Sequence, residues 1–456
     1  MADTRLRVEP GPPRPSLWDR LLGTGPGDDR RYIVYLVLIA MAGWALASYD
    51  FNLLVAALPT IAASLKLSQT EVGLLAFLVY AAMLILSFVM GYCTDQFGRK
   101  VMWQVALAGA AIFTGLTFFV HSFWALVVVR ALASGLSNSE LAISITLVNE
   151  QVPARRRGLL YSFVQGGWPV GVLLASAVFL GLGTGAGLDW HVVFLFGVIP
   201  LLMVIAGRRW VRPSERYQQL RSIKDAKARG DDAKVQELVK QHDVNVDEVE
   251  GVTVRQLFRE PGWVRRQLIR TTIVWLVYAA AFVATNTYIV DWLTQYRHFS
   301  SGQALALLLV ASGIGIGFYV IGGALGERFG RQRILVASAA AALALTIGFY
   351  FARPAWLIWL LFILVYQATN GTWSGVGYAY WAESFPTRVR GTAVGWLGAM
   401  FAAGLIIGSG VWTVLISPWG AVTLLIVGGG FAVLQLVGAL TLPHIRPGQE
   451  LEDIAT

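Results

Sequence analysis

The chain repeats itself after roughly 230 residues. Gly91 to Lys100 reads G-Y-C-T-D-Q-F-G-R-K, and Gly323 to Gln332 reads G-A-L-G-E-R-F-G-R-Q. A second pair follows the first: Glu150, Pro153, Arg157 and Gly158 recur as Glu383, Pro386, Arg390 and Gly391. Each copy stands in a short charged gap between long apolar runs. A repeat of this length restricts the fold to two halves built to one plan, with a site expected between them.

The apolar runs identify the solvent. Twelve are long enough to cross a hydrocarbon layer about 30 Å thick: 32–59, 70–90, 101–120, 123–148, 158–182, 190–210, 267–293, 303–325, 334–352, 355–381, 391–416 and 419–441. Only 14% of residues are charged, against about a quarter in a soluble chain. Abundant Gly lets membrane helices approach closely, and abundant Trp suits the lipid–water boundary. The expected fold is an all-α membrane protein, with twelve transmembrane helices in two pseudo-symmetric six-helix bundles. Residues 32–210 and 267–441 form the bundles, 1–31 and 442–456 the tails, and 211–266 the central loop.

The net charge of +9 raises nucleic acid as a partner, and its distribution excludes it. All Lys and Arg residues except Lys66, Arg130, Arg297 and Arg353 fall in the tails, the even-numbered gaps or the helix ends beside them. Basic residues stay on the cytoplasmic side. Both termini and the central loop are therefore expected in the cytoplasm, with the chain in the cytoplasmic (inner) membrane. The lone Cys93 has no partner for an intrachain disulfide. The first run is too long for a signal-peptide core and reads as a retained helix. The polar stretch from Val211 to Val264 reads as a solvated linker, with helical character over Asp231–Lys240.

No nucleotide-binding Gly-rich loop is present. Neither a metal-ligand cluster nor a nucleophile–base set is visible, so neither an enzyme nor a cofactor is expected. The charges inside the runs carry the most information, because each costs several kcal/mol at bilayer depth unless paired or wetted. Asp50 lies in the first run; Arg130 and Glu140 lie in the fourth. The first runs outward and the fourth inward, which brings Asp50 and Arg130 to similar depth. A pair there is geometrically allowed, and a proton arriving at Asp50 would break it. Glu140 lies roughly 15 Å deeper than Arg130 and is a second candidate for the proton. Asp291, near the end of the seventh run, is expected to be solvated.

The duplicated G-x-x-x-D/E-x-x-G-R box and the E-x-x-P-x-x-x-R-G box resemble the signatures of the major facilitator superfamily over about 32–441. The resemblance implies that Gly91, Asp95, Gly98, Arg99, Glu150, Arg157, Glu327, Arg331, Glu383 and Arg390 build a cytoplasmic gate. Four shorter features are similar to the sialate:proton and metabolite:proton symporter branches. They are Tyr49-Asp50-Phe51, an Arg130 followed ten residues later by Glu140, Gln165 to Ser176, and Ala382 to Gly391. The chain departs from those branches at Ser134, where a Gly is usual. The resemblance implies alternating access, with protons and a small carboxylate as the partners, in a monomer.

The second half offers amides and aromatics suited to a small organic substrate. The expected contacts are Arg130, Gln165, Trp168, Tyr278, Asn286, Tyr288, Gln367, Asn370, Trp373 and Trp396. Asn370 and Trp373 share one helical face. A neutral sugar or polyol, with Asp50 and Arg130 serving the proton alone, is a second reading. A membrane receptor that transports nothing is a third.

Overall fold

The computed structural model describes residues 29–444 apart from 152–159, 161–162, 200–201, 203–206, 208–210, 212–221, 224, 228, 243–256, 260–261 and 386. The described residues are helical throughout, with no strand. In the first half the helices are α1 (Arg30–Ser64), α2 (Gln69–Phe97), α3 (Arg99–Leu116), α4 (Phe123–Gln151), α5 (Gly167–Val178) and α6 (Trp190–Phe196). A polar helix, α7 (Asp232–His242), lies in the central loop. The second half holds α8 (Gly262–Phe282), α9 (Ile289–Arg297), α10 (Ser301–Phe329), α11 (Arg331–Phe351), α12 (Ala355–Tyr366), α13 (Trp373–Glu383), α14 (Thr387–Trp419) and α15 (Phe431–Thr441). Nine described helical segments are long and apolar enough to cross a membrane. The fourth run is one continuous helix, α4, whose Arg130, Asn138 and Glu140 dilute its hydropathy. The sixth lies partly outside the described residues, and the twelfth is a shorter apolar helix over Leu425–Thr441.

The repeat is visible in how helices begin and end. Helix α2 starts on Ser68, whose hydroxyl accepts from the Glu71 backbone while Glu71 accepts from Ser68 N at 2.8 Å. Helix α10 starts the same way on Ser300 and Gln303, with Ser300 N donating to Gln303 Oε1 at 3.0 Å. Such reciprocal caps satisfy donors that a helix start leaves open. The two helices stop at equivalent glycines of the duplicated box, Gly98 (φ 91°) and Gly330 (φ 92°). No L side chain adopts that backbone cheaply. This is why the box keeps its second glycine in both halves. Gly98→Ala or Gly330→Ala should each cost about 1–3 kcal/mol, measurable as a lowered midpoint of thermal unfolding in detergent. An unchanged midpoint for both would show that the turn adapts freely.

Glycines also set the packing inside each half. Gly171 of α5 lies against the Ala45 carbonyl of α1, and its counterpart Gly404 of α14 lies against the Leu276 carbonyl of α8. A methyl group at either position would strike backbone. The halves then meet along two helix pairs, α2 with α14 and α5 with α10. Gly73 of α2 sits where a Cβ would come within 2.9 Å of Thr413 Cα on α14. Gly313 and Gly315 of α10 face Leu173 and Pro169 of α5 at 3.2 and 3.5 Å on the same measure. The Gly73 contact lies at the end remote from the termini and the Gly313 and Gly315 contacts near mid-helix; the halves form a seam along them.

Four segments relax from α-helix into wider π-type turns: Phe179–Gly185, Val283–Thr287, Gln367–Thr372 and Leu425–Gly430. Wide turns of this kind free backbone and side-chain groups from regular helix and gather at functional places. Two of them carry the amides Asn286, Gln367 and Asn370.

Candidate functional site

Asp50 and Arg130 do meet. Arg130 Nη1 donates to Asp50 Oδ1 at 3.1 Å and Nη2 to Oδ2 at 3.2 Å. Nη2 also donates to the Asp50 backbone carbonyl at 2.9 Å. Both side chains are fully buried. Two hydroxyls complete the carboxylate's shell: Thr114 of α3 donates to Oδ1, and Ser137 of α4 donates to Oδ2 at 3.3 Å. Phe194 of α6 lies under the guanidinium, 5.0 Å from ring centre to Cζ. Four helices thus converge on one ion pair. The fork of the guanidinium matches both carboxylate oxygens, which an ammonium cannot do. A buried carboxylate needs this much compensation, because desolvation alone would drive it to its neutral form.

Glu140 lies apart from that pair. Trp103 Nε1 of α3 donates to its Oε1 at 2.6 Å, and Ser144 Oγ donates to the same oxygen. It is fully buried and held within the first bundle.

Trp168 stands where the bundles face each other. Its ring neighbours are Trp44 at 5.3 Å and Phe51 at 5.6 Å in the first half, and Phe282 at 6.1 Å in the second. Its Nε1 has no hydrogen-bond partner. Gln165, one turn earlier in the chain, is buried. Across from them, Tyr278 packs among Trp275, Trp373, Phe282 and Phe401. Its hydroxyl donates to the Thr369 carbonyl at 3.0 Å. Asn370 Nδ2 donates to Asn286 Oδ1 at 3.0 Å, joining two of the wide turns. Gln367 Nε2 donates to the Ala311 carbonyl at 2.8 Å. Left without partners are Asn370 Oδ1, Gln367 Oε1 and Trp373 Nε1, all buried. Buried polar atoms are rarely left so. Acceptors and an indole donor held among rings suit a small planar or polar ligand.

Two expected contacts stand elsewhere. Tyr288 is in the seam, where its hydroxyl donates to the Gly73 carbonyl at 3.1 Å and its ring stacks on Trp412 at 4.5 Å. Trp396 donates to Thr272 Oγ1 at 2.9 Å and packs on Phe258 at 5.3 Å, toward the end that carries the termini. Among the gate residues, Gly98 caps a helix as described, Glu327 is exposed and Arg331 is buried. Gly91, Asp95, Arg99, Glu150, Glu383 and Arg390 lie in helices, and what their side chains touch falls outside the described residues, as does all of Arg157.

One sequence reading is corrected. Asp291 is not solvated but only 1% exposed, because the seam closes over it. Sequence reasoning also missed Thr114, Ser137 and Phe194. The one available signal was weak: hydroxyls and a ring in apolar runs at the depth of an ion pair.

The sequence profile of the Major Facilitator Superfamily matches residues 40–408. A probable 4-methylmuconolactone transporter of Cupriavidus pinatubonensis is 26% identical over 91% of this chain and 91% of its own. The cis,cis-muconate transport protein of Acinetobacter baylyi is 26% identical over 76% of this chain and 78% of its own. Among solved structures, the inward-open xylose transporter XylE from E. coli superposes with a TM-score of 0.69 at 17% identity, covering 93% of this chain and 99% of that one. That likeness extends to the fold. Matched over most of its length by the family profile and folded in two related bundles, this chain belongs to the major facilitator superfamily.

Proposed function

We propose that the protein is a secondary active transporter that carries a small organic anion together with a proton by alternating access. The observation that carries this reading is the sealed Asp50–Arg130 pair. The pair is a two-state element: a proton on the carboxylate would remove its charge and release both Nη groups. The released guanidinium then suits the carboxylate of a substrate. Relatives named as transporters of niacin and of cis,cis-muconate, both carboxylates, support an organic acid. The two bundles, 32–210 and 267–441, would rock about the site, with 1–31, 211–266 and 442–456 in the cytoplasm. The seam would then close the outer face. Uptake into liposomes of the purified protein, driven by an acidic exterior and screened over aromatic and aliphatic acids, tests the reading. Absence of both gradient-driven uptake and counterflow for every class of solute would overturn it.

One observation favours a neutral substrate. Arg130 has both Nη groups on Asp50 and is fully buried, so in this state no solute reaches it. The pair would then serve the proton alone, and the unpartnered amide oxygens of Gln367 and Asn370 would accept from hydroxyls. Affinity that does not change between acid and mildly alkaline pH supports this second reading.

The orientation has its own test. Basic residues gather beside the termini, so both should lie in the cytoplasm. A reporter fused after Thr456 should be active only if it works there. Activity of one that matures only in the periplasm would invert the topology.

A further inference from the structure

Asp291 has no part in the mechanism above, yet it is buried where the halves meet. It lies one turn beyond Tyr288 on α9, and Tyr288 bonds across the seam to Gly73. Just before it, Thr287 bonds across the same seam to Tyr80 at 2.6 Å. The Asp291 carboxyl is hydrogen-bonded to the amide of Gln69, from the first turn of α2 in the other half, and to that of Gln295 on its own helix. Asp291 Oδ1 has no hydrogen-bond partner, and neither has Gln69 Oε1. One oxygen of the carboxyl is thus left without a donor.

The other groups near it do not supply a counter-charge. The titratable neighbours that face it are the phenols of Tyr288 and Tyr296, with Tyr80 behind Tyr288 on α2. Glu71, also in the first turn of α2, is turned to Ser68. Arg297 lies over the Trp292 ring and donates to the Tyr350 carbonyl. Trp412 and Thr413, from α14, are neutral. No cation is paired with Asp291 among the described residues. An ionised carboxyl offers acceptors only, whereas the acid form carries an O–H. A proton on Asp291 therefore removes a buried charge that two neutral amides face and no cation offsets.

We infer that Asp291 is a second proton-binding group, a latch that holds the outer seam shut as the neutral acid and releases it on ionising. When the seam opens, water reaches the carboxyl and the ionised form becomes the stable one. The closed form holds one proton more than the open form, so it is favoured at low pH and lost as pH rises. This goes beyond the role of Asp50 and does not depend on it. Asp291 belongs to the half opposite the Asp50–Arg130 pair, and opening of the seam is measurable without any substrate.

The experiment uses the full chain in lipid nanodiscs, with Cys93→Ser and spin labels on Ser64→Cys and Ala355→Cys. Both positions are exposed, one in each half at the far end. Distances between the labels give the ratio of closed to open seam. In the wild-type background this ratio should fall up to about ten-fold per pH unit, as a one-proton linkage requires. Asp291→Asn keeps the seam closed at every pH and flattens the dependence. Asp50→Asn leaves the Asp291-dependent slope in place. A flat wild-type profile, or a wild-type slope in Asp291→Asn, overturns the latch. If Asp291→Asn does not fold, Asp291→Glu must keep the slope, and its loss there overturns the idea equally. A failed symport reading would instead show as missing uptake with the seam profile intact.

Discussion

Asp50→Asn abolishes substrate accumulation driven by an inward proton gradient, down to the level of protein-free liposomes, while exchange of substrate between two equal pools persists. The asparagine cannot bind and release a proton, yet it still accepts from Thr114 and is close in volume to the acid it replaces. Binding and alternation can therefore continue without coupling. The measurement is paired uptake and counterflow on one preparation. Full gradient-driven accumulation by the variant would remove Asp50 from the proton path and leave Glu140, with its Trp103 and Ser144 donors, as the remaining acid of the first bundle.

Arg130→Gln should be the most destabilising single change in the site. It leaves a buried carboxylate facing two hydroxyls and no cation, and breaking one side of such a pair costs about 3–5 kcal/mol. The double variant Asp50→Asn with Arg130→Gln should recover much of that loss, because neither charge remains. Thermal unfolding of the two single variants and the double gives the coupling directly. Simple additivity of the single effects would mean that the two side chains do not depend on each other. Arg130→Lys refines the result: an ammonium retains the charge but loses the two-pronged match to a carboxylate. A larger loss of substrate affinity than of proton coupling in that variant points to direct contact with an anionic substrate. The reverse ranking points to a pair that serves the proton alone.

Much of the architecture was legible in the chain because bilayer thickness and helical rise leave little choice. Twelve runs of sufficient length, a duplicated box and a one-sided distribution of Lys and Arg lead to two bundles without any tertiary information. The Asp50–Arg130 pair was legible for the same reason: position along a helix of known rise gives depth, and depth in a membrane leaves few partners. What depends on rotation about a helix axis was not legible. Thr114 and Ser137 differ in no visible way from the other hydroxyls in apolar runs until α3 and α4 are turned to face α1. Asp291 looked solvated because its run ends nearby; only the approach of α2, allowed by Gly73, puts it under cover. Tyr288 is a seam residue for the same reason. The wide turns at Asn286 and Gln367 were equally hidden, since no residue pattern distinguishes them from regular helix.

The seam has a consequence for the medium in which the protein works. Its described cross-links include a phenol on a carbonyl, a phenol on a threonine hydroxyl, an amide on the Asp291 carboxyl, and rings and small side chains packed against glycine. Among the described residues no ion pair spans it. Dissolved salt screens charges and leaves such contacts untouched. The contacts that hold the seam closed therefore do not weaken as ionic strength rises. Acidity, acting through single protons, remains the variable to which this gate responds.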